Sequence, residues 1–238
     1  MDDILTLAAR ILKIQMQPSS LANELQENGW YPIRQISWIE KDKNESIDSY
    51  MERVLTGERY NVIKEDYCYN LYPDRKHILE VAFDLFDNHN YIACIPLFLT
   101  QIDGIARDYG VKGMFQGIPE KEIDAKHIKK NYKFVPYVIK QIETYNPKSQ
   151  QVLKFLYASN FLERGACKAM LINENTDFTT PDNNNYLNRH GILHGFKEYL
   201  NYGSRPNALR VINLLVYVIN LIESLKKEEK IQTTPNDS

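Results

Sequence analysis

Apolar positions recur along this chain at intervals of three and four residues, the spacing that gives a helix one apolar face. The first such stretch holds Ile4, Leu7, Ala8, Ile11, Leu12 and Ile14 and ends at Pro18. Asn28-Gly29 then breaks the chain. Trp30-Tyr31-Pro32 opens an irregular aromatic segment, with Trp38 further on, within which residues 33–39 are read as a short extended stretch. This segment is expected to pack the N-terminal helices onto the rest of the chain, the other use for its rings being a partner or base-stacking surface. Helices are predicted over residues 45–55 and 60–71.

From Pro73 the pattern strengthens. Pro73-Asp74 is a helix start, and Ile78, Leu79, Ala82, Phe83 and Phe86 form one stripe. Asn88-His89-Asn90 reads as a turn, followed by a long apolar helix over 91–109, with Ile95, Phe98, Leu99, Ile102 and Ile105 as its stripe, that Gly110 closes. Asp103 interrupts its stripe, either as a capped or solvent-edge carboxylate or as a member of a cleft. Residues 113–119 read as a loop, 120–145 as charged helical segments, 149–172 as a long helix and 173–185 as a polar loop. The helix carrying residues 188–195 begins near Tyr186, and Tyr202-Gly203-Ser204 turns the chain. Ser204 is a suitable N-cap and Pro206 a suitable first-turn residue for a last helix over 207–226, apolar through Val211, Leu214, Leu215, Val218, Ile219 and Ile222.

These elements predict an all-α fold: a helical bundle over residues 73–228, with residues 1–72 as a helical extension or small domain. The polar residues 229–238 are expected to form a disordered tail. No internal repeat is visible.

Composition narrows the function. A net charge of −2 argues against a protein that coats nucleic acid through a broad basic surface, so any nucleic-acid contact should be local. The three cysteines, Cys68, Cys94 and Cys167, match no zinc or disulfide spacing and read as reduced thiols. The acidic start, Met1-Asp2-Asp3-Ile4, is unlike a signal peptide, and the chain is read as having no apolar run that approaches the roughly 18 to 20 residues that span a bilayer. A cytoplasmic location with no membrane contact is expected.

Chemistry concentrates in Asn188-Arg189-His190-Gly191-Ile192-Leu193-His194-Gly195, in a chain with only five histidines. Arginine offers a permanent charge and a planar fork of donors suited to phosphate. Histidine exchanges protons near neutral pH. Together they can cleave RNA without a metal: His194 moving the proton of a ribose 2′-hydroxyl or of the leaving oxygen, Arg189 stabilising charge on the phosphoryl oxygens. His190 and Asn188 are candidate supports, and Asp103 and Tyr186 candidate substrate contacts. On an ideal helix Arg189 and His194 stand about 140° apart. The arginine therefore belongs at a helix end, or a second copy of the chain completes the cleft.

An arginine, then Asn, Asp or His, then three residues and a histidine is the pattern of Arg189-His190-Gly191-Ile192-Leu193-His194. In this the chain resembles the HEPN superfamily (higher eukaryotes and prokaryotes nucleotide-binding domains). The helix over 91–109, with Gln101-Ile102-Asp103-Gly104, resembles the second helix of its abortive-infection members. The resemblance covers roughly residues 73–228. It implies a four-helix bundle, a homodimer and a metal-independent endoribonuclease needing no cofactor. It also implies a toxin or anti-phage effector, with an antitoxin or defence-complex partner possible. Phe196 stands where members controlled by a nucleotidyltransferase antitoxin carry a modified tyrosine, which argues against that control here.

Two other uses of these residues compete. His190, His194 and Glu198, at i, i+4 and i+8, would share one face of a continuous helix, and two histidines four apart suit zinc; that would make a metal-dependent hydrolase. Alternatively, the chain is a non-catalytic nucleotide- or protein-binding adaptor.

Overall fold

A computed structural model describes residues 18–110 and 187–233. The elements predicted at 4–14, 120–145 and 149–172, the loops at 113–119 and 173–185, Tyr186, Cys167 and residues 234–238 lie outside the described residues. Within them all regular structure is helical and no strand occurs. The fold is all-α.

The chain runs through α1 (Pro18–Glu27), a 3-10 turn (Arg34–Ser37), α2 (Ile47–Thr56) and α3 (Tyr60–Val62). α3 continues as a π-helix (Ile63–Tyr69). A 3-10 turn (Pro73–Arg75) leads into α4 (Lys76–Asp87), followed by α5 (Tyr91–Asp108). The later segment holds α6 (Arg189–Leu193), a 3-10 segment (Lys197–Tyr202) and α7 (Arg205–Thr233). The helix predicted over 60–71 is thus mostly π, and the extended stretch predicted over 33–39 is a 3-10 turn. Extended geometry there is confined to the approach, with Ile33 at φ −105°, ψ 153°.

α5 packs between α4 and α7. Its predicted stripe, Ile95, Phe98, Leu99, Ile102 and Ile105, is buried, as are Leu79, Ala82, Phe83 and Phe86 of α4, whereas Ile78 of the stripe predicted there is only half-buried. Phe83 and Phe98 meet edge to face at 4.9 Å across that seam. α7 is the spine. It is apolar enough and long enough over Arg205–Lys227 to span a bilayer, yet 89% of its most apolar window is buried in the protein. A helix apolar all round is what such a central position requires. It continues to Thr233, past the predicted end at 226, because Lys226 and the charged residues after it are good helix formers.

Four polar side chains interrupt the buried surface of α7: Asn207 donates to Tyr202 O at 2.9 Å, and the other three meet the segment after α1. The Asn213 amide pairs with both backbone groups of Tyr31: it accepts from Tyr31 N at 2.7 Å and donates to Tyr31 O at 3.0 Å. Asn220 donates to the Gln35 side chain at 2.9 Å, and Ser224 Oγ accepts from Arg34. The Asn213 side chain does for Tyr31 what a neighbouring strand would do, so the extended residues need no sheet. Trp30 and Tyr31 are fully buried, Trp30 donating to Asp48 at 2.7 Å and Tyr31 packing on Tyr217 at 4.8 Å. The buried apolar residues between Leu25 and Tyr72 share one core with those of α4, α5 and α7.

Candidate functional site

Asn188 begins the site as a helix N-cap. Its backbone is extended, and its side-chain oxygen accepts from Gly191 N at 2.8 Å, satisfying one of the first-turn donors. Arg189 is therefore the first residue of α6. The helix lasts five residues and closes with a Schellman turn: Phe196 N donates to Gly191 O at 2.9 Å, and Gly195 N donates to Ile192 O at 3.2 Å. Gly195 sits at φ +68°, the left-handed conformation this ending needs. His194 is the C-cap, at φ −98°, ψ 1°. Arg189 and His194 are thus the two ends of one short helix, as the arginine-at-a-helix-end option requires.

The arginine and the histidines have different surroundings. Arg189 meets Asp103 of α5, with an Nη2–Oδ1 distance of 3.3 Å, and both side chains are about three-quarters buried. Arg107, one turn along α5, reaches the other oxygen of Asp103, also at 3.3 Å. Asp103 therefore holds two guanidiniums at one place. His190 and His194 are exposed, their ring centroids 4.3 Å apart. Phe196 stacks on His190, with centroids 5.7 Å apart and planes at 25°.

Neighbouring contacts fix where this segment sits. Gly191 lies against the ring of buried Tyr199; a β-carbon there would come within 2.2 Å of it. Pro96, inside α5, has no N–H to give the carbonyl of Ile92. Tyr202 takes that role, its hydroxyl donating to Ile92 O at 3.1 Å. On the far side of α5, Arg75 pairs with Asp108, donates to Gln101 at 2.9 Å and lies over Gly104. The run Gln101-Ile102-Asp103-Gly104 therefore holds Arg75 through Gln101 and Gly104, and Arg189 through Asp103.

Of the sequence-predicted site residues, Asn188, Arg189, His190, His194 and Asp103 come together around α6, and Tyr186 lies outside the described residues. The continuous helix face required for His190, His194 and Glu198 is not formed. α6 ends at Leu193, Gly195 reverses the chain, and Glu198 stands on the next 3-10 segment. Among the described residues no group of three His, Cys, Asp or Glu is placed to hold a metal ion. Sequence reasoning missed Phe196, Tyr199 and Arg107. The signal for Phe196 was available: a glycine followed by an apolar residue after a short helix is a Schellman ending, which aims the apolar side chain back at the helix.

Comparison with known proteins finds no matching family model, no matching curated protein and no matching solved structure.

Proposed function

We propose that the chain is a metal-independent endoribonuclease of the HEPN type, working at Arg189 and His194. The observation that carries this reading is the construction of α6. An N-cap asparagine and a C-terminal glycine cut the helix to five residues and leave the arginine and the histidine as its two ends. Asp103 holds the arginine, and His194 remains exposed.

In the proposed reaction His194 accepts the proton of a ribose 2′-hydroxyl. The 2′-oxygen attacks the adjoining phosphorus and the 5′-oxygen leaves, giving a 2′,3′-cyclic phosphate and a 5′-hydroxyl. General-base help of this kind is worth about 10²–10⁴-fold. Arg189, drawn from Asp103 toward the phosphate, would stabilise the growing charge on its oxygens by about 3 kcal/mol. DNA lacks the nucleophile and is not cut. In a two-fold dimer, which the HEPN resemblance implies, the second His194 would protonate the leaving oxygen. A toxin or anti-phage role, and an antitoxin or defence-complex partner, follow from the same resemblance.

The test is cleavage of end-labelled RNA by the purified chain with and without EDTA, beside His194→Ala and Arg189→Ala. Cleavage that survives EDTA, leaves cyclic phosphate ends and is lost in both variants supports the proposal. Cleavage abolished by EDTA points to metal chemistry. Absence of cleavage, with the cellular effect unchanged in both variants, points to an adaptor.

A further inference from the structure

A Schellman turn aims the side chain that follows its glycine back onto the preceding helix, where it packs at the third or fourth residue from the end. In α6 the third is Gly191, which has no side chain. Phe196 packs instead on the fourth, His190, nearly parallel to it at 5.7 Å. His194 leans against His190 at 4.3 Å. All three rings are exposed, and Phe196 keeps 39% of its surface open. Backbone hydrogen bonds at 2.9 and 3.2 Å hold this ring cluster in place, and it stands on the same short helix as Arg189.

Exposed rings beside a cation suit a nucleotide: the ring takes the base and the cation takes the phosphate. Arg107, whose side chain is 61% exposed, adds a second cation at the Asp103 carboxylate. We infer that the Phe196–His190 stack is a base-binding platform that seats one unpaired nucleobase next to the phosphate held by Arg189. The inference rests on the ribonuclease reading of the site. It adds a specificity-determining residue, Phe196, which acts by stacking and takes no part in proton transfer. Because the base must leave its own helix to reach the platform, the substrate is an unpaired segment.

The probe is a fluorescent single strand of 2′-O-methyl RNA, which has no free 2′-hydroxyl and is not cut, read by anisotropy against wild type, Phe196→Leu and Phe196→Trp. Leucine keeps the apolar bulk and loses the ring face; tryptophan keeps the face. Loss of about tenfold in affinity with leucine, recovery with tryptophan and weaker binding of the matching duplex support the platform. On cleavable RNA the leucine variant should raise KM with kcat little changed. Equal binding by wild type and Phe196→Leu overturns the platform, as does a change in oligomeric state without a change in binding, which would assign Phe196 to a contact between copies. If wild type neither binds nor cuts RNA, the ribonuclease reading falls too. If His194-dependent cleavage persists and Phe196→Leu is silent, only the platform falls.

Discussion

The hydroxyl of Tyr202 occupies the hydrogen-bonding place that Pro96 vacates at the carbonyl of Ile92. That single bond ties the segment after the motif to the first turns of α5, a separation of 110 residues in sequence. Tyr202→Phe should cost about 0.5–1 kcal/mol, a modest value because the bond is exposed. In a Pro96→Ala background the helix regains its own N–H, and the same change should cost less. Urea denaturation of the four proteins in this double-mutant cycle measures the difference; equal costs in both backgrounds would refute the substitution of one donor for the other.

The two glycines of the motif are needed for opposite reasons. Gly191 lacks space, with the Tyr199 ring 2.2 Å from where a β-carbon would stand. Gly195 has open space but a φ of +68°. Gly191→Ala must push a buried ring and should destabilise by about 1–3 kcal/mol. Gly195→Ala should cost about 1 kcal/mol, and Gly195→Asn less, since asparagine tolerates the left-handed region. Thermal melts of the three variants check the order; an alanine and an asparagine of equal cost at 195 would contradict the conformational account.

Much of the fold is visible in the pattern of apolar residues, and the reason is periodicity. The stripe of α5 is so regular that all five of its predicted core residues are buried. Asn213 and Asn220 are different. In sequence they resemble surface breaks in an apolar helix; they are buried because residues 31–35, about 180 positions away, supply their partners. No local pattern carries such information. The motif falls between these cases. Residue types and spacing pointed to Arg189 and His194, whereas the Asp103 contact and the ring cluster depend on packing between α5 and α6.

Asp103 should matter to activity more than to stability. Its partner Arg107 is largely exposed, and asparagine keeps an oxygen that can accept from the three-quarters-buried Arg189, so the loss should be about 1 kcal/mol. Asp103→Asn should therefore leave the melting temperature nearly unchanged. In the proposed ribonuclease reaction it should lower RNA cleavage by releasing Arg189 from its position. A stability loss that matches the activity loss would make Asp103 a purely structural residue.

Buried Cys94 sets an alkaline limit. Burial pushes its thiol up to about 12 from the ordinary value of 9.0. The unfolded chain ionises the group near 9, so the stability contributed by the protonated thiol is complete below that pH and is lost as pH rises toward 12. Denaturation at pH 8 and pH 10.5 should show the decline, and Cys94→Ala should lessen it, the remainder coming from Cys68 and from tyrosines such as Tyr50 and Tyr72 that burial raises in the same way. In the native protein at pH 8, Cys94 and the equally buried Cys68 should react with a thiol reagent only after denaturant is added.

The Asn213, Asn220 and Ser224 contacts also bear on the timing of synthesis. Each joins residues 182 to 190 positions apart. A ribosome makes Tyr31, Arg34 and Gln35 early and their hydrogen-bonding partners on α7 much later. Until α7 has emerged, the first described segment has nowhere to bury its rings and α5 lacks one of the two helices it packs between. The fold closes only when α7 has been made. A nascent chain long enough to carry Arg189 and His194 but not α7 has the motif without the scaffold that positions it, so a cell making this protein is exposed to the finished site only once the whole spine is in place.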